Sequence, residues 1–130
     1  MSDDVVELRS DRGFDETRQR LEDALSSRGL EVFVRIDHRA NAVAAGLEMP
    51  PATVVVFGAA RVGTPLMLDA PRLALDLPLR ILVRAEDDGA VVAFHDPTGL
   101  VTDAGLPPER GRELQAVAVL AAVAAGQPLP

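Results

Sequence analysis

Apolar and polar side chains alternate with a period of two in several short segments, and this spacing predicts β-strands. The clearest case is EVFVRID at residues 31–37, where Val32, Val34 and Ile36 are expected on one face of a half-buried strand. The segment TVVVF at residues 53–57 is apolar on both faces, which favours a place in the middle of a sheet. Strands are expected at residues 5–9, 31–37, 53–57, 79–85 and 90–94.

Between and after these strands, apolar residues recur at helical spacing. Thr64 is expected to cap the N-terminus of a helix, with Pro65 as its first helical residue. A loop or a single helical turn is expected at residues 98–105, and the tail at residues 127–130 is expected to fray. Helices are expected at residues 14–28, 39–46, 66–75 and 107–125.

The order of these segments predicts the fold class. Strands and helices are partly segregated along the chain, which favours an α+β two-layer sandwich with helices on one face of the sheet. Asp87, Asp88 and Gly89 separate two strands and form a hairpin signal, so the sheet is expected to be mostly antiparallel. With neither an internal repeat nor a linker, residues 1–130 are expected to form a single domain.

Charge and composition exclude several classes of partner. The formal net charge is −7, which opposes binding to phosphate backbones and to anionic membranes. Only 3% of the residues are aromatic, so the chain lacks stacking platforms for single-stranded nucleic acid. We therefore expect neither nucleic acid nor a membrane as a partner. The apolar segment at residues 116–125 is too short to span a bilayer.

Two absent residue types exclude chemistry. The chain has no cysteine, which rules out thiolate metal sites, iron–sulfur clusters and disulfides. It also has no lysine, because every basic side chain is arginine, and this removes Schiff-base chemistry and the phosphate-loop lysine. No cofactor is predicted. The acidic N-terminus lacks the layout of a signal peptide, so a cytoplasmic location is expected.

Two histidines lie at predicted strand ends. Asp37 and His38 lie where a strand meets a helix. His38 could act there as a general base or a metal ligand, or it could only hydrogen-bond the backbone or cap the next helix. His95 and Asp96 follow another strand. A two-histidine, one-carboxylate metal site is possible in principle only if the fold unites both pairs. The favoured interpretation is that no metal binds.

Two further segments carry candidate anion-binding groups. GAARVGTP at residues 58–65 ends in a predicted helix start, where backbone amides near Thr64 could bind an anion. Asp76 and Arg80 lie four residues apart in an apolar frame. Arg80 could anchor a carboxylate or phosphate ligand, or it could pair with Asp76 and fix the entry of the chain into the strand.

Several motifs together resemble the family called domain of unknown function 302. The resemblance covers residues 6–106 and is most specific at GTPLM and DLPLR. It is carried by Phe57-Gly58, GTPLM at residues 63–67, ALDLPLR at residues 74–80, FHDP at residues 94–97, IDH at residues 36–38, Ala42 and Gly46-Leu47. The chain departs from the family pattern at Ala59-Ala60, where an Asn-Pro is usual, and at Phe94-His95, where a Tyr-Asn is usual.

The resemblance implies a small domain with a curved antiparallel sheet and a helix packed across it, similar to the TATA-binding-protein-like class. That class includes helix-grip ligand binders. It also implies a homodimer, and it brings no established activity to carry over.

Three hypotheses follow for the function. The first is a ligand-binding domain that holds a small anionic ligand in a pocket between sheet and helices. The residues expected to line this pocket are His38, Thr64, Arg80, His95 and Asp96. The second is a hydrolase or isomerase in which His38 is the base and Asp37 or Asp96 orients it. The third is a non-catalytic dimerisation or interaction module, so whether the protein is an enzyme stays open at this point.

Overall fold

The computed structural model describes residues 4–129, so the expectations for residues 1–3 and 130 lie outside it. Strands and helices alternate as far as β4, and helices follow β5, so they are only partly segregated along the chain. The strands are β1 Val5–Arg9, β2 Glu31–Asp37, β3 Ala52–Gly58, β4 Leu79–Glu86 and β5 Gly89–His95. The α-helices are α1 Phe14–Ser27, α2 His38–Ala44, α3 Ala60–Asp69, α4 Pro97–Asp103 and α5 Ala116–Ala125, and 3₁₀ helices form at Pro71–Leu75 and Pro108–Leu114.

The strands form one five-stranded sheet in the order β1-β5-β4-β3-β2, with every neighbouring pair antiparallel. The apolar segment β3 lies between β4 and β2, as its lack of a polar face predicts. β1, although first in the chain, pairs with β5, and Val5 lies opposite His95. The two edge strands of the sheet are therefore β1 and β2.

Two helices cover one face of this sheet. Leu21 and Leu25 of α1 and Leu120 of α5 are fully buried against inward-facing strand residues such as Val55 and Val92. Burying a leucine or valine side chain contributes about 1.5–3 kcal/mol each, so this layer supplies most of the apolar burial. The predicted α+β two-layer sandwich is therefore confirmed.

A second, smaller core lies at one end of the sheet. Leu66 of α3, Leu73 of the first 3₁₀ helix and Val101 of α4 are completely buried there, together with Leu114. Leu79 at the start of β4 packs against both cores. The elements around this junction are the ones that form the cavities described below.

The strand β2 departs from its predicted alternation. A β-bulge between Val32 and Val34 places Val32 opposite Phe57, but Arg35 opposite Val55. Since Phe57 and Val55 both face the helices, Arg35 shares that side with Val32, whereas Val34 lies on the other side. The prediction that Val32, Val34 and Ile36 share one face is wrong because the extra residue shifts the period by one.

Helix α3 begins earlier than predicted. Ala59 is the N-cap and Ala60 the first helical residue, so both Thr64 and Pro65 lie inside the helix. The prediction that Thr64 caps this helix is wrong. Proline lacks an N–H and therefore removes one backbone hydrogen bond, which a helix tolerates best near its start. The alanines before it are good helix formers and extend the helix backwards.

The region after β5 is also more divided than predicted. Pro97–Asp103 forms α4, with Asp96 as its N-cap, where a loop or a single turn was expected. The long helix expected at residues 107–125 is instead a 3₁₀ helix, Pro108–Leu114, followed by α5. Gln127 donates a hydrogen bond of 2.9 Å from its side-chain amide to the carbonyl of Arg9.

Across residues 4–129, no helix is both long and apolar enough to cross a lipid bilayer.

Candidate functional site

A cavity of about 330 Å³ opens at the start of β4 and the end of β5, between the first 3₁₀ helix and α4. We call it the Arg80–His95 cavity. Its lining residues are Leu75, Asp76, Leu79, Arg80, His95 and Leu100. It unites two of the residues expected at a ligand site, Arg80 and His95, with Asp76.

The sheet register brings Arg80 and His95 together. Leu82 of β4 lies opposite Ala93 of β5, and the two residues of interest lie two positions further along each strand. Side chains two apart share a face of a strand, so Arg80 and His95 project from the same face, away from α1 and α5. Their proximity depends on β4 and β5 being neighbours, which their hairpin ensures.

The side chain of Arg80 is exposed and, within residues 4–129, takes part in neither an ion pair nor a hydrogen bond. The alternative that it pairs with Asp76 is therefore wrong: both line the same cavity without forming an ion pair. A guanidinium presents five donors in a planar fork that matches a carboxylate or phosphate. Arg80 thus keeps its full donor capacity available at the cavity.

His95 is held by the segment that precedes β1. Its Nδ1 lies 2.9 Å from Oδ1 of Asp4, whose side chain is only 16% exposed. The backbone N–H of Asp96 donates to the carbonyl of Asp4 at 2.8 Å, which fixes this segment against the end of β5. With Nδ1 bonded to a carboxylate, Nε2 is the ring nitrogen left for a ligand.

Asp96 has a structural role in this arrangement. Its Oδ1 accepts a hydrogen bond of 2.9 Å from the backbone N–H of Thr98 and lies 3.5 Å from Nε2 of Gln115. This is the N-cap of α4, and Asp96 is absent from the lining of the cavity. Asp96 therefore positions α4, which contributes Leu100 to the cavity wall.

His38 and Asp37 lie at the opposite end of the sheet. Asp37 pairs with Thr53, which is in register with Val83 and Val92, whereas His95 pairs with Val5. Three strand spacings separate β2 from β5, or about 14 Å. The fold therefore does not unite the two histidines, and a metal site that uses both is not formed.

The geometry at His38 is that of a helix start. Oδ1 of Asp37 accepts a hydrogen bond of 2.9 Å from the backbone N–H of Ala40, so the carboxylate caps α2. His38 is exposed, and its ring has no hydrogen-bond partner within the described chain. The alternative that His38 caps the next helix is wrong, because Asp37 is the N-cap and His38 is the first residue of α2. The geometry gives a general base at His38 no orienting group.

Thr64 lies in a different, mostly apolar cavity of about 230 Å³ on the other side of the segment that leads into β4. We call it the apolar cavity. Because α3 begins at Ala60, the amides near Thr64 belong to the helix interior and do not form an anion site at a helix start. The lining residues are Leu30, Phe33, Phe57, Gly58, Ala59, Ala60, Val62, Gly63, Thr64, Met67, Leu77, Pro78, Leu79, Glu113, Leu114 and Ala116.

One lining residue of the apolar cavity, Glu113, belongs to a small charge cluster. Arg110 lies 3.0 Å from Oδ2 of Asp69 and 2.8 Å from Oε2 of Glu113. The hydrogen bonds that Arg110 donates, first to Glu113 and second to Asp69, raise the pKa of its guanidinium. The Glu113 charge is thus balanced by its neighbour.

Sequence reasoning missed two contributors to these cavities. Asp4 was not recognised, because its role depends on β1 lying beside β5, far away in sequence. The apolar cavity was not recognised either, since Phe33 is directed to it by a bulge that no local pattern announces. Two glycines in the 58–65 segment do line this cavity, and they were the available signal.

Comparison with protein families gives one match that decides the classification. The model of the family described as "Domain of unknown function DUF302" matches residues 6–123. The chain belongs to the DUF302 family. This confirms the resemblance seen in the sequence.

A solved structure of the same family has the same fold. The crystal structure of an uncharacterised conserved DUF302 protein from Bacillus stearothermophilus superposes with a TM-score of 0.79 and covers 96% of this chain and 98% of that one. The sequence identity is 17%, so the likeness concerns the fold alone.

Curated relatives include proteins named as fluoride channels. "Fluoride-specific ion channel FluC 1" from Brucella suis is 38% identical over 97 residues, which are 74% of this chain and 38% of that protein. A protein of the same name from Brucella abortus is also 38% identical over 97 residues, covering 36% of its length. The matched part of this chain thus spans less than two fifths of these relatives.

Proposed function

We propose that this DUF302 domain binds a small ligand through its anionic group at the Arg80–His95 cavity. The observation that carries the proposal is Arg80: a guanidinium beside a cavity of about 330 Å³, with no carboxylate partner in the part of the chain that the structure describes. Other arginines, such as Arg35 and Arg84, are engaged in ion pairs. An unpaired arginine at a concave surface favours an anion as its partner.

His95 supplies a second group for the same ligand. Since Asp4 engages Nδ1, a protonated His95 ring offers Nε2–H to an anion, whereas a neutral ring that donates through Nδ1 offers only a lone pair. Arg80, Asp4 and Asp76 are the charged groups around this ring.

Asp76 narrows the class of ligand. A carboxylate on the same cavity repels a bare anion but accepts a hydrogen bond from a donor. A ligand with a hydroxyl or amino group next to its carboxylate or phosphate satisfies Arg80, His95 and Asp76 together. Small hydroxy acids and amino acids have this arrangement.

Ligand-dependent thermal stabilisation tests the proposal. A ligand that binds the folded state raises Tm, with a gain of about 2.7 kcal/mol at one hundred times Kd. The panel contains lactate, serine, phosphate, acetate and fluoride at equal ionic strength, with chloride as the reference. We expect at least one of these compounds to stabilise the protein, with lactate or serine above acetate.

Two matched variants locate the effect. Arg80→Gln should abolish the stabilisation. Arg39→Gln should retain it, because Arg39 is also exposed and lies on α2, at the far end of the sheet. No stabilisation by any anion at millimolar concentration, or equal stabilisation of the Arg80→Gln variant, would overturn the proposal.

The relatives named as fluoride channels support a second candidate function. The matched region covers 38% or less of those proteins, so most of each relative lies outside it. We infer that the domain can serve as an accessory unit that senses a ligand for a membrane protein of this kind. Co-purification of the tagged domain with a fluoride channel from the same cells tests this role, and absence of the channel from the purified material counts against it.

The proposal also places the domain in the cytoplasm as a homodimer. The acidic composition and the absence of cysteine support the location. Exposed apolar side chains on the uncovered sheet face, such as Val34, and on the edge, such as Val5, support self-association. Sedimentation velocity over a tenfold concentration range tests the dimer, and a constant monomer mass would contradict it.

A further inference from the structure

The apolar cavity is a separate feature from the Arg80–His95 cavity. The segment from Leu75 to Arg80 lies between them: Leu77 and Pro78 line the first, whereas Asp76 and Arg80 line the second. Leu79 contributes to both. A ligand in one cavity therefore does not occupy the other, and each has its own chemistry.

The apolar cavity lies where the two cores meet and neither fills the space. Phe57 belongs to the core between sheet and helices, whereas Leu114 belongs to the core around α3 and α4. Met67 and Leu77 pack at the edge of the second core and line the cavity. The space of about 230 Å³ is open to solvent on one side, so it is a concave apolar cleft at this junction.

Aromatic side chains concentrate at this cavity. The chain has four phenylalanines, and two of them, Phe33 and Phe57, line it. Phe57 is buried, but Phe33 is 47% exposed, since the bulge in β2 releases it from the regular alternation. A half-exposed phenylalanine at the mouth of an apolar cavity gains contacts when a ligand enters.

The lining of the apolar cavity carries no unpaired charge, and this favours a neutral ligand. Of the lining residues, Thr64 and Glu113 have polar side chains, and Glu113 is paired with Arg110 at 2.8 Å. A cationic ligand is not needed, because Arg110 already balances Glu113. An anionic ligand would find no positively charged group among the lining residues. We infer that the apolar cavity is a second ligand site, which takes a small uncharged aromatic or branched aliphatic molecule.

Methionine methyl NMR with toluene as the probe tests this inference. The chain has three methionines, so selective methyl labelling gives a simple spectrum in which Met67 reports on the cavity. We expect toluene to shift the Met67 signal saturably and to leave the Met49 signal unchanged. A shift that rises linearly with toluene, or that is equal at both methionines, would overturn the inference.

Substitutions at Gly63 provide matched variants. A Cβ at this position lies 3.7 Å from Leu77 and 3.7 Å from Met67, which is ordinary contact. Gly63→Ala should therefore fold and still bind toluene, whereas Gly63→Leu should fill the cavity and weaken binding by about tenfold or more. Equal toluene affinity in the Gly63→Leu variant would refute the site. If Gly63→Leu fails to fold, Ala59→Leu, at another lining position, serves instead.

Two further measurements separate this site from its alternatives. Arg80→Gln should leave toluene binding unchanged, so loss of anion binding and loss of toluene binding are distinguishable results. The Met67 signal is also followed while the protein is diluted without ligand. If it shifts together with dissociation of a dimer, a second copy of the chain fills the cavity, and the inference of a small-molecule site is overturned.

Discussion

Arg35 of β2 donates two hydrogen bonds to Glu22 of α1, with Nε 2.7 Å from Oε2 and Nη2 2.6 Å from Oε1. This bidentate pair ties the edge strand β2 to the helix that covers the sheet. It exists because the β-bulge turns Arg35 toward the helices. The Glu22 hydrogen bond raises the pKa of Arg35, so the cation persists throughout the usable pH range.

Breaking this pair should destabilise the protein modestly. Arg35 is 54% exposed, so solvent screens its charge, and we expect Glu22→Gln to cost about 0.5 kcal/mol. Arg35→Gln should cost more, about 1 kcal/mol, because it leaves the 13% exposed Glu22 carboxylate without its cation. Urea denaturation of both variants and the double variant gives the coupling. Additive effects would show that the pair contributes nothing.

The free energy of unfolding should decrease at low pH, in part because Asp11 becomes protonated. Arg20 donates a hydrogen bond of 2.7 Å to Asp11, and this bond lowers the pKa of the Asp11 carboxyl. A carboxyl whose folded-state pKa is depressed stabilises the fold above its unfolded pKa, about 3.9, and loses that contribution as pH falls through the folded value. The Tm of the wild type should therefore drop more steeply below about pH 4 than that of Asp11→Asn. Parallel Tm curves would contradict this role.

Gly126 should tolerate no side chain. Its φ is +69°, and a Cβ there would lie 2.6 Å from Oδ1 of Asp11. Gly29 has a similar φ of +65° with open space around it, so Gly29→Ala measures backbone strain alone, about 1–2 kcal/mol. Gly126→Ala should cost more than this control, since Asp11 must also move away from Arg20. If Gly126→Ala and Gly29→Ala lose the same stability in chemical denaturation, the contact with Asp11 does not add to the cost.

Substitutions at Asp37 and His38 should affect stability to different extents. Asp37→Ala removes the cap of α2 and should cost about 1 kcal/mol. His38→Ala should change stability by less than about 0.5 kcal/mol, because the ring is exposed. Urea denaturation measures both. A loss of more than 1 kcal/mol in His38→Ala would reveal a contact that the fold does not explain.

Local patterns in the sequence identified all strands within one or two residues, because alternation and turn signals act over a few positions. They failed where a longer-range effect dominates. Thr64 and Pro65 look like a helix start, yet the alanines upstream extend α3 to Ala60. The bulge at Phe33 leaves no local mark, so the facing of Arg35 was missed.

The candidate site was predicted in part for the same reason. Arg80 and His95 belong to strands joined by a hairpin, so their meeting follows from neighbouring segments. Asp4 joins them only through the pairing of the first and fifth strands, which no local signal encodes. His38 and Thr64 were grouped with them on residue type, and the strand order places these residues elsewhere. The single-domain expectation stays a prediction.

The pairing of β1 with β5 has a consequence for biosynthesis. Val5 and its neighbours leave the ribosome well before their hydrogen-bonding partners at Gly89–His95 are translated. At a translation rate of about 5–20 residues per second, the delay is on the order of ten seconds. During this time the apolar side of α1 lacks β5 and α5, which later cover it. The nascent chain therefore exposes the apolar side of α1 until the residues of β5 and α5 have been translated.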